Sequence, residues 1–237
     1  MYKCNEIRLK EMVESFSQFG ATANGEVTRL SLSEEDLQAR NYFCDCCKEL
    51  NMEIKFDDLA NIYATLPGKK DFPPIVIGAH LDTVEKGGCF DGVLGISTAL
   101  EAIRTIQQND IELDIPLVIV NFTNKEGARF NPAMMSSGVI SSKYDKDAML
   151  QSVDKNGVTF KEALSASGYK DDKDNRLKEA SVYIELHPEQ GPILAKEDIE
   201  IGIVEGLLGM VCYEITIIGE SKPAWTTPMS VRKDPIL

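Results

Sequence analysis

Apolar residues recur at helical spacing over residues 4–17 and again over 33–50. In the second stretch Leu37, Tyr42 and Leu50 share a stripe, and Ser33-x-x-Asp36 supplies a capping pattern at its start. Short strands are predicted near 52–56 and 60–66, and the turn "PGKKDFPP" leads into a strand at 75–79. A helix is expected over 92–108, where Leu94, Ala99, Ala102, Ile103 and Ile106 keep the 3.6-residue period. "IPLVIVNFT" at 115–123 is a continuous β-branched run, the pattern of a strand buried on both faces. Helical patches follow at 134–141 and 158–167, then a charged loop or helix end, "GYKDDKDNRLKE" at 168–179, and a strand "ASVYIELH" at 180–187. This alternation predicts an α/β fold, a mixed sheet with helices packed on both faces. No internal repeat or low-complexity segment interrupts it.

The last segment changes character. "GMVCYEITIIGES" at 209–221 alternates apolar and polar over a long strand, and "KPAWTTPMSVRKDPIL" follows it. A strand of that length needs partners for its edge and its apolar face. The expected organisation is a domain over 1–208 and the beginning of a second over 209–237, with the chain stopping just after entering the second.

Composition narrows the function. The 237 residues are 43% hydrophobic and 27% charged, ordinary for a globular protein, and can bury a sizeable core. A net charge of −13 argues against nucleic acid or an anionic membrane as partner, since both would repel it. No apolar run approaches the roughly 20 residues of a membrane span. "MYKCNEIRLK" lacks a signal-peptide core, so a cytoplasmic location is expected. Of six cysteines, Cys44, Cys46 and Cys47 cluster as "CDCC", without a second pair at zinc-finger spacing. They read as residues of a cytosolic helix.

The chemistry lies at strand ends, where α/β sheets bind their ligands. In "GAHLDTVEKGGCFDGVLG", residues 78–95, His80 and Asp82 follow one predicted strand and Asp91 opens the next helix. Glu126 follows the strand at 117–123, and His187 ends the one at 180–187. Both histidines of the chain therefore lie at strand ends, beside carboxylates, which is the donor set of a zinc or manganese site. A carboxylate such as Asp91 can bridge two cations, and Asp82 is placed to accept a hydrogen bond from the other ring nitrogen of His80 and fix its tautomer. A phosphate cradle at Gly87-Gly88 is disfavoured, because no Lys-Ser/Thr follows.

"GAHLDTVEKGGCFDGVLG", "FTNKEGARF" and "ELHPEQGPIL" resemble, in order and spacing, the motifs of the hydantoinase/carbamoylase family of metal-dependent amidases. That family includes N-carbamoyl-L-amino-acid hydrolases, allantoate amidohydrolases and β-ureidopropionases. The resemblance implies a zinc-aminopeptidase-like catalytic domain interrupted by an α+β lid and dimerisation domain, of which 209–221 would be the first strand. It implies a homodimer, a small-molecule substrate and two divalent metals per subunit. Carried over, His80, Asp91 and His187 hold one metal; Asp91 and Glu126 hold the other, with a histidine lying beyond residue 237; Gln190 faces the substrate.

Three departures follow from the same resemblance. The family has Glu-Glu before Gly127, the first being the general base, and here it is Lys125-Glu126. The lid motif, Asp-His-Ala-Gly-Thr-Thr-Pro-Met, reads "KPAWTTPM", with Pro223 in the histidine's place. The second metal's terminal histidine lies beyond residue 237, and, as a milder fourth change, Pro188 stands where an apolar residue usually follows the metal histidine. These changes predict one tightly held metal and poor turnover. The alternatives are a truncated or degenerate relative that binds metal without catalysis, and a related metallo-exopeptidase or deacylase.

Overall fold

The computed structural model describes residues 2–209, 211, 213 and 215–235. The chain resolves into two compact units, Met1–Gln190 and Gly191–Leu237.

The first unit is built on a five-stranded sheet of order β1-β2-β4-β3-β5. β1 (Glu53–Phe56) and β2 (Ile62–Leu66) form an antiparallel pair, and β2 runs antiparallel to β4 (Leu117–Phe122). β3 (Ile75–His80) lies parallel to β4 on one side and to β5 (Val182–Ile184) on the other. The predicted mixed α/β sheet is the architecture observed.

Strand alternation divides the core. Ile62, Ala64, Ile77, Ala79, Leu117 and Ile119 face one large apolar cluster, while Tyr63, Val76, Val118 and Val120 form a small one with Phe122 and Leu177. The helices were expected on both faces. Among the described residues, their buried apolar side chains all belong to the large cluster. The small cluster on the other face is buried as well.

α1 (Glu6–Ser17), α2 (Glu34–Glu49) and α3 (Val93–Gln108) are the longest helices, and each buries an apolar face in that large cluster. Asn5 caps α1 by accepting from the Arg8 N–H, and Ser33 caps α2 by accepting from Asp36, each worth about 1 kcal/mol. The Arg8 guanidinium grips the buried Glu101 carboxylate of α3 with two bonds of 2.6 Å, fastening α1 to α3. Cys44, Cys46 and Cys47 are buried on α2 as free thiols, and burial pushes the Cys44 thiol up to about 11. They are packing residues.

α4 (Met135–Ile140) and α6 (Phe160–Ala166) fall inside the predicted patches, and α6 carries a capping box of Thr159 and Glu162. α5 (Lys146–Leu150) has no sequence forecast, because five residues are too few to show a period. The strand forecast over 180–187 shrinks to three residues. Beyond Ile184 the chain leaves β3 and crosses α3, with the Leu186 carbonyl so near Gly95 that a Cβ there would sit 2.9 Å away. β5 is an edge strand, and its three side chains are about half exposed.

In the second unit, α7 is the single turn Ile193–Lys196, and Met229–Val231 forms a 3-10 turn. The long strand forecast over 209–221 is not found among the described residues there, since none of them is paired in a ladder. Met210, Cys212 and Glu214 lie outside the described residues.

Two buried arginines hold the loops beyond β3 and β4: Arg29 donates to the Leu81, Phe16 and Phe19 carbonyls. Arg40 pairs with Asp36 at 2.8 Å, both side chains fully buried, and donates to the Ala60 carbonyl and the Thr123 hydroxyl. Asp36 also accepts from the Leu32 N–H. Replacing Asp36 by Ala leaves a buried guanidinium without its counter-ion. Urea unfolding of Asp36→Ala is expected to show a loss of about 3–5 kcal/mol; a loss below about 1 kcal/mol would mean the pair is not a keystone of this fold.

Candidate metal centre

The parallel register places His80 beside Phe122, so β3 and β4 release their chains at the same end of the sheet. Leu81–Asp82 and Thr123–Glu126 then run side by side. The Asp82 carboxylate accepts from the Lys125 N–H at 3.2 Å on one oxygen and from the Glu126 N–H at 3.0 Å on the other. Asn124 and Gly127 flank this turn in the left-handed region, with φ of 56° and 71°.

His80 is buried, and its Nδ1 lies 2.8 Å from the backbone carbonyl of Asp82. The expectation was that the Asp82 carboxylate would orient this ring. The carboxylate instead stands 3.9 Å off, occupied with the two amides, and the same residue's carbonyl takes the ring N–H. A donating Nδ1 leaves the Nε2 lone pair free, which is the tautomer a metal ligand needs.

Asp91 arrives at the start of α3. Gly92, at φ 68°, lets the helix lie against His80: a Cβ there would fall 2.4 Å from the His80 carbonyl and 2.6 Å from its ring. Asp91 Oδ1 sits 3.7 Å from His80 Nε2 and 3.1 Å from His187 Nε2. His187 is brought in by the departure of the chain from β5, and its Nδ1 lies 2.8 Å from the Pro188 carbonyl, so its Nε2 is likewise available. The ligand-type atoms of His80, Asp91 and His187 all lie within 4.8 Å of one another. Glu126 Oε1 is 3.7 Å from His80 Nε2 but stands outside that trio, bonded at 2.7 Å to the Lys125 ammonium. Gln190 donates from Nε2 to Asp91 Oδ2 at 3.1 Å, a contact that no sequence pattern announced.

His80 Nε2 and Asp91 Oδ1 are buried and have no hydrogen-bond partner. Two such atoms, facing each other with a second imidazole at hand, carry a desolvation cost that a cation would relieve. Two neutral imidazoles and a carboxylate fit zinc or manganese.

Residues 61–172 match the profile of Peptidase family M28. The N-carbamoyl-L-amino-acid amidohydrolase of Rhizobium meliloti is 35% identical over 231 residues, 97% of this chain and 56% of that relative. The allantoate amidohydrolase of Bacillus subtilis is 30% identical, over 96% of this chain and 56% of its own length. The crystal structure of a hydantoinase/carbamoylase family amidase from Burkholderia ambifaria matches with a TM-score of 0.82 at 35% identity, covering 100% of this chain and 58% of that one. The chain belongs to the hydantoinase/carbamoylase family of amidases. It spans a little over half the length of these relatives.

The electrostatics of this amidase-family site match its donor set. Burial alone would lower the pKa of His80, and the Asp91 and Asp82 carboxylates outweigh it, so the net shift is upward. Asp91 is held down to about 2, first by the His80 imidazole beside it and further by the Lys125 ammonium, against the cost of burial. Burial raises Asp82, opposed by His80 and by the two amides it accepts from. Among the described residues, no helix is long and apolar enough to cross a membrane.

The trio predicts a measurable affinity. After loading with zinc and dialysis, metal analysis is expected to find about one ion per chain. His187→Ala should weaken binding by about a hundredfold or more, as losing a donor does at least as much harm as losing an outer partner. Binding unchanged in His187→Ala would rule the trio out.

Proposed function

We propose that this chain is the metal-binding portion of a carbamoylase-type amidohydrolase. Its substrate is a small N-carbamoyl amino acid or allantoate, cleaved at a linear amide or ureido C–N bond. The single observation that carries this reading is the pair of buried, unpartnered atoms, His80 Nε2 and Asp91 Oδ1, facing His187. The activities named for the Rhizobium and Bacillus relatives supply the substrate class. On this reading residues 1–208 form the catalytic domain, and 209–237 begin a lid and dimerisation domain.

A divalent ion, zinc or manganese, supplies Lewis acidity toward a carbonyl or water when bound. His80, Asp91 and His187 are the residues that would hold it. Gln190 fixes the Asp91 carboxylate through Oδ2, which leaves Oδ1 facing the two imidazoles. Asp82 fixes the His80 tautomer and, through two amides, the position of the Lys125-Glu126 turn.

A second reading, metal binding with little turnover, is favoured by Lys125. Its ammonium donates to Glu126 at 2.7 Å, where hydrolysis would call for a group that accepts a proton. Loss of a general base removes about 10²–10⁴ in rate. Pro223 adds a separate departure, at a position where the family motif has a histidine.

An ammonia-release assay on N-carbamoyl amino acids and allantoate, with zinc or manganese added, tests both readings. The expected result is slow, metal-dependent release that disappears in His80→Ala, with Lys125→Glu alone restoring less than about tenfold of the deficit. No metal-dependent release from any of these substrates would end the amidohydrolase reading. Turnover near an ordinary rate of about 10 s⁻¹ by the unmodified chain would end the low-turnover reading and make Lys125 a working base.

A further inference from the structure

Glu126 is a carboxylate at a metal centre that the metal trio leaves out. Its Oε1 is as far from His80 Nε2 as Asp91 Oδ1 is, 3.7 Å in each case. What distinguishes it is the Lys125 ammonium, 2.7 Å from that same oxygen, with side-chain exposures of 17% for Lys125 and 14% for Glu126. At such low exposure, water screens the attraction weakly. Neither backbone can drift from the other, because the Asp82 carboxylate accepts from both amides and the Lys125 carbonyl accepts from the Met134 N–H.

We propose that the Lys125 ammonium is a built-in counter-cation: it keeps Glu126 off the ion, so that the site takes one divalent cation through His80, Asp91 and His187 only. The inference rests on the metal-centre reading above and adds to it the reason for a single ion. An ammonium offers three donors and one positive charge, and it satisfies a carboxylate oxygen much as a metal ion does. Charge supports the same count. Asp82, Asp91 and Glu126 bring three negative charges, which one divalent ion and one ammonium balance. A second divalent ion beside Lys125 would leave the half-buried site with excess positive charge. The charge of Lys125 is felt at both His80 and Asp91.

Calorimetric titration of zinc into the metal-free 237-residue chain decides this, using unmodified protein, Lys125→Met, the double variant Lys125→Met/Glu126→Gln, and Lys125→Arg. Unmodified chain and double variant carry the same net charge at the pair, so a difference in their affinities reports Glu126 as a ligand already in the unmodified chain. The expected result is one ion on the unmodified chain, with the double variant and Lys125→Arg within about threefold of it. Lys125→Met frees Glu126 and should bind at least about tenfold more tightly, a gain that the double variant loses. Lys125→Gln is the second neutral variant should the apolar side chain disturb folding. The inference is overturned if the double variant binds about tenfold more weakly than the unmodified chain, since Glu126 is then already a ligand. It is also overturned if neutralising Lys125 changes nothing, or if the unmodified chain binds two ions. Failure of every protein, Lys125→Met included, to bind zinc would instead remove the metal-centre reading itself.

Discussion

The site depends on the position of one carboxylate. Asp82 follows β3 by two residues and accepts the amides of Lys125 and Glu126 on its two oxygens, while its carbonyl receives the His80 ring. One residue thereby sets an imidazole and the turn after the neighbouring strand. Parallel pairing makes this possible, since only parallel neighbours end at the same edge of a sheet. A buried carboxylate is costly unless several donors meet it. Here the donors are the backbone it has to position, and the cost is offset by the order it imposes.

The same economy explains the buried arginines. Chain segments leaving a sheet carry carbonyls that no ladder satisfies, and buried carbonyls need donors. Arg29 donates to the carbonyls of Leu81, Phe16 and Phe19, and Arg40 to that of Ala60. Each guanidinium reaches several segments distant in sequence, which an apolar residue of equal volume could not do. The loops beyond β3 and β4 are therefore held by polar contacts, while the helices bury their apolar faces in the large cluster.

Much of this was legible in the sequence, where periodicity is strong. The run at 115–123 and the apolar stripe of 92–108 lie within two residues of β4 and α3 at each boundary. The placement of His80 at a strand end, of Asp91 before a helix and of His187 beyond an apolar run also shows in the spacing, because the ends of elements are marked by the change from apolar to polar residues. The structure gathers those three. Other features were not legible for physical reasons. The length of β5 is set by where Leu186 meets Gly95, a contact between residues far apart in the chain. Backbone groups have no letter in the sequence, so the carbonyl of Asp82 could not be distinguished from its carboxylate as the partner of His80. The alternation at 209–221 is a pattern that needs a neighbouring strand, and none pairs with it among the described residues.

The shortness of β5 has a thermodynamic consequence. Three residue pairs join it to β3, its side chains are about half exposed, and it leads directly to His187. An element held this lightly belongs to the part of a protein that opens first, at a free energy well below that of global unfolding. His80 and Asp91 belong to the body of the sheet and the start of α3, so on the proposed metal reading an ion shared with His187 would bridge the firm and the loose parts. Opening of the edge strand then requires release of the ion, and the occupied state gains RT ln(1 + [L]/Kd) against that opening. Metal concentration becomes a control on local fraying: amide exchange in Val182–Ile184 should follow free zinc, while exchange deep in β4 follows only the stability of the whole.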